Sequence, residues 1–186
     1  SEIPFIIANE GCERFTFYAM RNILVSFLAA SAFYRYMPTE ELRKLEGKHV
    51  LHTFMLGVYF FPLVGGWLAD RFFGKYNTIL WFSLVYSAGN ACCALFVDSY
   101  QGFMIGLLLI AIGSGGIKPL VASFMGDQFD ARTKHLAKTV FAAFYWIINF
   151  GSFFASISMA FFLKELGPTI TFAIPGVLML TATAVF

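Results

Sequence analysis

The chain has 186 residues, of which 59% are hydrophobic, 19% aromatic and only 13% charged, and its mean hydropathy is +0.72. Soluble domains carry about 25% charged residues, so this composition excludes an ordinary soluble domain and points to an integral membrane protein. The net charge of +2 comes from scattered basic residues, which excludes a nucleic-acid stripe or a polybasic lipid site.

Apolar runs match the roughly 20 residues that cross a bilayer. Six spans are expected, at 4–36, 50–73, 76–97, 101–126, 137–163 and 169–186. Backbone amides in a bilayer must be satisfied internally, and these runs are continuous rather than alternating, so they read as helices and not as barrel strands. The first span is longer than a bilayer requires and is expected to tilt or to extend past the surface. Residues 37–49 read as a solvated loop with room for a short helix, 70–75 (DRFFGK) as a tight polar turn, 126–138 as a longer polar loop and 164–168 as the last break. The last span stops in mid-helix at Phe186, which predicts that these residues belong to something longer. Cys12, Cys92 and Cys93 lie within apolar segments, so no disulfide framework is expected. No cleavable signal peptide is evident, because the first apolar segment starts at once and carries charges. Basic residues do not orient the bundle. Arg71, Lys75, Arg132, Lys134 and Lys138 on one side balance Arg35, Arg43, Lys44, Lys48 and Lys164 on the other.

The first span holds the least expected string, NEGCERFTFYAMR at 9–21. At helical spacing Glu10, Glu13, Arg14, Phe17, Tyr18 and Arg21 share one face about 140° wide. Each charge in mid-membrane costs about 2.5–3.5 kcal/mol on insertion scales. The face must therefore look into a polar cavity or at partner charges. A self-neutralised Glu/Arg ladder that merely joins helices would satisfy the same charges, but small residues and hydroxyls serve that end more simply.

A fifth charge, Lys118, stands in GSGGIKPLVASFMGDQF at 113–129. Gly113, Gly115 and Gly116 permit close helix approach, and Pro119 removes a backbone hydrogen bond beside the lysine. Glu10 and Glu13 are the intramembrane carboxylates available to it, so an ion pair with one of them is expected. With both glutamates ionised, Arg14, Arg21 and Lys118 leave the cluster at +1. One substrate carboxylate would neutralise it, and one proton on a glutamate would free a cation to receive that carboxylate. The residues themselves therefore suggest an anion-accepting, proton-sensitive cavity.

The string Glu10-x-x-Glu13-Arg14-Phe15, followed by Tyr18 and Arg21, resembles the first-helix motif of the proton-dependent oligopeptide transporters of the major facilitator superfamily. Residues 113–129 resemble that family's fourth-helix motif and FYWIINFGSFF (144–154) its fifth, while GGWLADRFFGK (65–75) is similar to the superfamily's loop between helices two and three. The resemblance implies an all-α polytopic bundle, with this chain matching the N-terminal six-helix half and the substrate site lying against an absent C-terminal half. It also implies that loops 70–75 and 126–138 face the cytoplasm.

Its functional implication is proton-coupled symport of di- and tripeptides across the cytoplasmic membrane by alternating access. No cofactor is implied, the proton gradient being the drive, and the implied partners are peptides, protons, the lipid bilayer and the C-terminal half. Arg21 and Lys118 would hold the peptide carboxylate, with Tyr18, Tyr59 and Asn149 lining the pocket. Glu10, Glu13 and Arg14, together with Lys118, would couple protonation to closure. His52 is a secondary proton site, and Asp70 and Arg71 are gate residues. Phe17 stands where many relatives have tyrosine, which removes one hydroxyl contact. Phe153 replaces the usual leucine after Gly151-Ser152.

Transport of nitrate or another small anion on the same scaffold is the alternative reading. A membrane-embedded enzyme is disfavoured, since no span shows a metal-ligand cluster, a serine nucleophile with its base or a phosphate-cradling loop.

Overall fold

The computed structural model describes residues 3–186. It contains six long helices: α1 (Ile3–Ala30), α2 (Glu40–Leu68), α3 (Gly74–Leu95), α4 (Tyr100–Gly126), α5 (Ala137–Glu165) and α6 (Gly167–Val185). Among the described residues, four helical stretches are long and apolar enough to cross a membrane: Glu40–Leu95, which runs α2 into α3, then Tyr100–Gly126, Lys134–Glu165 and Gly167–Val185. In α1 every stretch long enough to span holds at least three of Glu10, Glu13, Arg14 and Arg21, which is why hydropathy alone passes it over.

Two connections differ from their sequence reading. The first helix ends at Ala30 and is followed by a 3-10 turn at Ala32–Tyr34, short of the expected 36. The second begins at Glu40, ten residues before the expected 50, so most of the solvated loop is a helical extension. Its start has a clear cause. Thr39 caps the helix by accepting from the Leu42 amide at 3.3 Å, Glu40 and Glu41 occupy the first turn, and Glu40 pairs with Lys44 at 2.6 Å. A hydroxyl cap and acidic residues both favour a helix N-terminus. The lysine also holds the Glu40 carboxyl below the usual carboxylate range. The expected tight turn at 70–75 is instead a π-helical turn, Ala69–Phe73. It ends at Gly74, whose φ of +72° suits a residue without a Cβ.

Helix directions follow from close contacts. A Cβ at Gly57 would meet Ala111 and one at Gly65 would meet Gly115, so α2 and α4 run parallel. Gly113 lies against Tyr86, and Gly106 against Gly89 and Cys93, so α3 and α4 run antiparallel. Loops 69–74 and 127–136 therefore emerge at one end of the bundle. There Lys75 Nζ reaches Asp127 at 2.5 Å and the Ser123 hydroxyl at 2.6 Å, tying the start of α3 to the end of α4. In the following loop Asp130 accepts from the Thr133 hydroxyl at 2.8 Å and from the amides of Arg132 and Thr133, which holds its carboxyl below the ordinary range. At the opposite end Phe27, Phe103 and Phe172 pack within 5.2 Å of one another, centroid to centroid.

Helix α4 is wedged between α2 and α3, and its glycines make this possible. A Cβ on Gly115 would stand 2.4 Å from the Phe61 Cβ, whereas one on Gly66 would meet nothing within 4 Å. Overpacking a close-packed site costs about 1–3 kcal/mol. Gly115→Ala is therefore expected to lower the unfolding temperature of the detergent-solubilised protein, while Gly66→Ala leaves it unchanged. α5 lies along α1, where the Asn22 amide donates to the Ser156 hydroxyl at 3.0 Å. Both α2 and α5 keep large apolar groups exposed, among them Leu63, Trp67, Trp146 and Phe153. Such faces suit lipid or another protein wall better than water.

Candidate functional site

The charges of α1 converge because that helix runs through the bundle, against α5, α2 and α6 and across α4. Glu10, Glu13 and Arg14 are 5%, 0% and 7% exposed. Glu10 and Arg14 stand one turn apart on the same face, and Arg14 Nε lies 3.0 Å from Glu10 Oε1. The same guanidinium pairs closely with Glu13 Oε2. The Ser114 hydroxyl of α4 donates to Glu13 Oε1 at 3.1 Å, and the Tyr86 hydroxyl of α3 donates to the Glu13 carbonyl at 3.3 Å. Just below, the Asn9 amide donates to the Ser83 hydroxyl at 3.5 Å. Three helices thus enclose one arginine held by two carboxylates. Burial of this kind is tolerated only when charges are paired and hydrogen-bonded.

Two buried oxygens here, Asn9 Oδ1 and Glu10 Oε2, have neither a hydrogen bond nor an ion pair among the described residues. Buried polar atoms are rarely left so. A carboxylate oxygen that lacks a donor is the atom on which a proton can be placed without displacing an existing bond.

Lys118 does not make the ion pair expected of it. It forms no ion pair with Glu10 or Glu13; among the described residues both carboxylates go to Arg14. Its Nζ lies 4.6 Å from the centroid of the Phe17 ring and 5.3 Å from that of Tyr59. Arg14 explains the difference. Its planar fork engages both carboxylates, a geometry that a lysine ammonium does not match.

Among the other predicted site residues, Tyr59 is 66% exposed and reaches the lysine from α2. Tyr18 is half-buried, with its ring edge-on to Phe17 at 5.3 Å. Arg21 and Asn149 are exposed on α1 and α5. The Asn149 backbone accepts from the Ser152 hydroxyl at 2.9 Å, but its side chain makes no hydrogen bond among the described residues. His52, Asp70 and Arg71 are exposed and form no ion pair among the described residues. The structure therefore joins Glu10, Glu13 and Arg14 in one cluster and Lys118 and Tyr59 in an adjoining one. Among the described residues, neither the Asn149 nor the His52 side chain makes a hydrogen bond or ion pair to either cluster. The bridge that does join helices at the end carrying Asp70 and Arg71 is Lys75–Asp127.

Sequence reasoning missed Ser114, Tyr86 and that bridge. Ser114 was visible as the hydroxyl inside the glycine run. Lys75 and Asp127 were visible as charges flanking two consecutive spans, which must meet if those spans form a hairpin.

An all-α bundle carrying such a buried ion cluster has the architecture of a multi-pass membrane transporter. A family model described as the POT family matches residues 76–186. The crystal structure of an auto-inhibited POT family peptide transporter superposes with a TM-score of 0.94 at 66% identity, covering 100% of this chain and 36% of that one. The POT family transporter PepTSo superposes with a TM-score of 0.94 at 61% identity, covering 99% of this chain and 36% of that one. Peptide transporter family 1 of Drosophila melanogaster is 39% identical over 199 residues, covering 99% of this chain. Solute carrier family 15 member 2 of Homo sapiens is 34% identical over 198 residues, again covering 99% of this chain. The chain belongs to the POT family, within the major facilitator fold. It spans 26% of the length of those two curated relatives.

Proposed function

We propose that this chain forms part of a proton-coupled symporter of di- and tripeptides that works by alternating access in the cytoplasmic membrane. The observation that carries the reading is the buried Glu10–Arg14–Glu13 cluster beside a cation, Lys118, that has no ion-pair partner among the described residues. Family membership and the peptide-transporter names of its relatives support the substrate class.

In this reading Lys118 and Arg21 receive the peptide carboxylate, while Tyr59, Tyr18 and Asn149 line its path. Protonation of Glu10, whose buried Oε2 lacks a donor among the described residues, or of Glu13 loosens the grip on Arg14 and biases the bundle toward closure. The free energy comes from the proton gradient and not from a cofactor. His52 is a reserve proton site. Asp70 and Arg71 serve the gate at the end where loops 70–75 and 126–138 emerge, and that end is cytoplasmic.

The opposing wall of the cavity belongs to the C-terminal half. The isolated fragment 1–186 is therefore expected to show no proton-driven uptake, and co-expression with that half restores it. The test of the whole reading is accumulation of labelled dialanine by proteoliposomes containing the full-length protein under an imposed inward proton gradient. Accumulation that ignores the gradient, or exclusion of dialanine with uptake of nitrate, would overturn it.

A further inference from the structure

The geometry points to Phe17 as the positioning residue that keeps Lys118 apart from the neighbouring carboxylates and ready for an anionic ligand. This rests on the reading that a peptide carboxylate enters beside Lys118.

Lys118 is half-buried within a membrane helix, and among the described residues it has no ion-pair partner. An ammonium in that setting is costly unless something attracts it. Two aromatic rings do so: its Nζ lies 4.6 Å from the Phe17 centroid and 5.3 Å from the Tyr59 centroid. Both distances are within the range over which an aromatic face attracts a cation.

The two rings differ in freedom. Phe17 is 4% exposed and is braced edge-to-face by Tyr18, whereas Tyr59 is 66% exposed. Phe17 is thus the fixed inner leaf of the clamp, and Tyr59 is an outer leaf that a ligand can push aside. The carbon at the centre of the Arg14 guanidinium lies 5.4 Å from the same Phe17 centroid. One ring therefore serves two cations, of which Arg14 is paired with Glu10 and Glu13, and Lys118, among the described residues, with no carboxylate. Phe17 carries no hydroxyl, so it attracts the ammonium without taking any of its N–H donors. Those donors stay available to a carboxylate. Remove the attraction of the ring face, and the lysine's best remaining partners are the glutamates it now avoids.

The test replaces Phe17 in the full-length protein with mono-, di- and trifluorophenylalanine, which weaken the negative ring face stepwise while largely keeping the packing. Equilibrium binding is measured for dialanine and for dialanine amide, which lacks the carboxylate. The dissociation constant for dialanine is expected to rise with each fluorine, by about three- to tenfold at the trifluoro ring, with the amide unaffected. A parallel change in both ligands would mean that Phe17 serves packing alone, and no change in either would remove its role.

A second readout needs no peptide. On the 13C-dimethylated protein, the Lys118 resonance, assigned by its loss in Lys118→Arg, is expected upfield from ring currents. It moves toward the solvent value in Phe17→Leu. An unshifted resonance in the parent would overturn the clamp, whereas failure of the parent to bind dialanine, with the shift present, would overturn only the transport reading.

Discussion

Glu10→Gln and Glu13→Gln are each expected to abolish gradient-driven accumulation while leaving peptide binding measurable. Glutamine is a permanently neutral imitation of a protonated glutamate, so it fixes the cluster in one of the two states between which transport must alternate. The two substitutions are not equivalent. Glu10→Gln keeps an oxygen beside the Arg14 Nε, which lies 3.0 Å from Glu10 Oε1. Its added amide falls where Oε2 finds no donor among the described residues. Glu13 is 0% exposed, and its two oxygens accept from Ser114 and pair with Arg14. A glutamine there must turn an N–H₂ toward either a donor hydroxyl or a guanidinium. Breaking one partner of a buried pair costs about 3–5 kcal/mol, and the surviving Glu10 reduces this. Glu13→Gln is therefore expected to be the less stable protein, with Glu10→Gln close to the parent. With either glutamate replaced, the cluster counted with Arg21 and Lys118 rises from +1 to +2, which favours an anionic ligand. Binding and accumulation measured on the same purified variants, from acid to mildly alkaline pH, check this. If both variants accumulate peptide with the parent's pH profile, the charges are structural and the proton is carried elsewhere, with His52 the next place to look.

How far the sequence could be read depends on the physics at each position. The helices were legible because a bilayer imposes length and continuity, and α3, α4 and α5 fall within two residues of their expected ends. The start of α2 was not, because charge reads as loop in a greasy chain until the Thr39 cap and the Glu40–Lys44 pair are weighed as helix formers. The turn at 70–75 looked like a break because its residues are polar, yet polar side chains do not end a helix. Gly74 does so, four residues later than the first of them. At the site, the periodicity of α1 placed Glu10, Glu13 and Arg14 together correctly. Charge counting then assigned Lys118 to a carboxylate. It could not reveal that one guanidinium would take both carboxylates, because that depends on the fork geometry of Arg14 and on the approach of α4 that its glycines permit. Nor could it find the aromatic partners of Lys118. Phe17 lies on another helix, and it was noted for the hydroxyl it lacks rather than for the ring it offers.

That rearrangement sharpens what Lys118→Ala should do. Were Lys118 the partner of Glu10 or Glu13, its removal would leave a buried carboxylate unpaired and unfold or mis-set the cluster. In the structure the Arg14 bridges to both glutamates do not involve it, and its own contacts are the faces of Phe17 and Tyr59. Lys118→Ala is therefore expected to fold with nearly the parent's stability, losing the packing of one lysine stem. Its loss appears instead at the ligand. A charge-assisted contact to a carboxylate is worth about 1.5–3 kcal/mol, which weakens dialanine binding by about 10- to 150-fold. Proton-driven uptake falls below detection with it. Dialanine amide, which has no carboxylate to lose, binds the variant about as well as it binds the parent. Thermal unfolding, binding of the two ligands and uptake under a gradient, measured on one preparation, separate the possibilities. A variant that unfolds early would show that Lys118 supports the ion cluster after all. A stable variant that binds dialanine like the parent would remove Lys118 from the binding site and leave Arg21 as the carboxylate's partner.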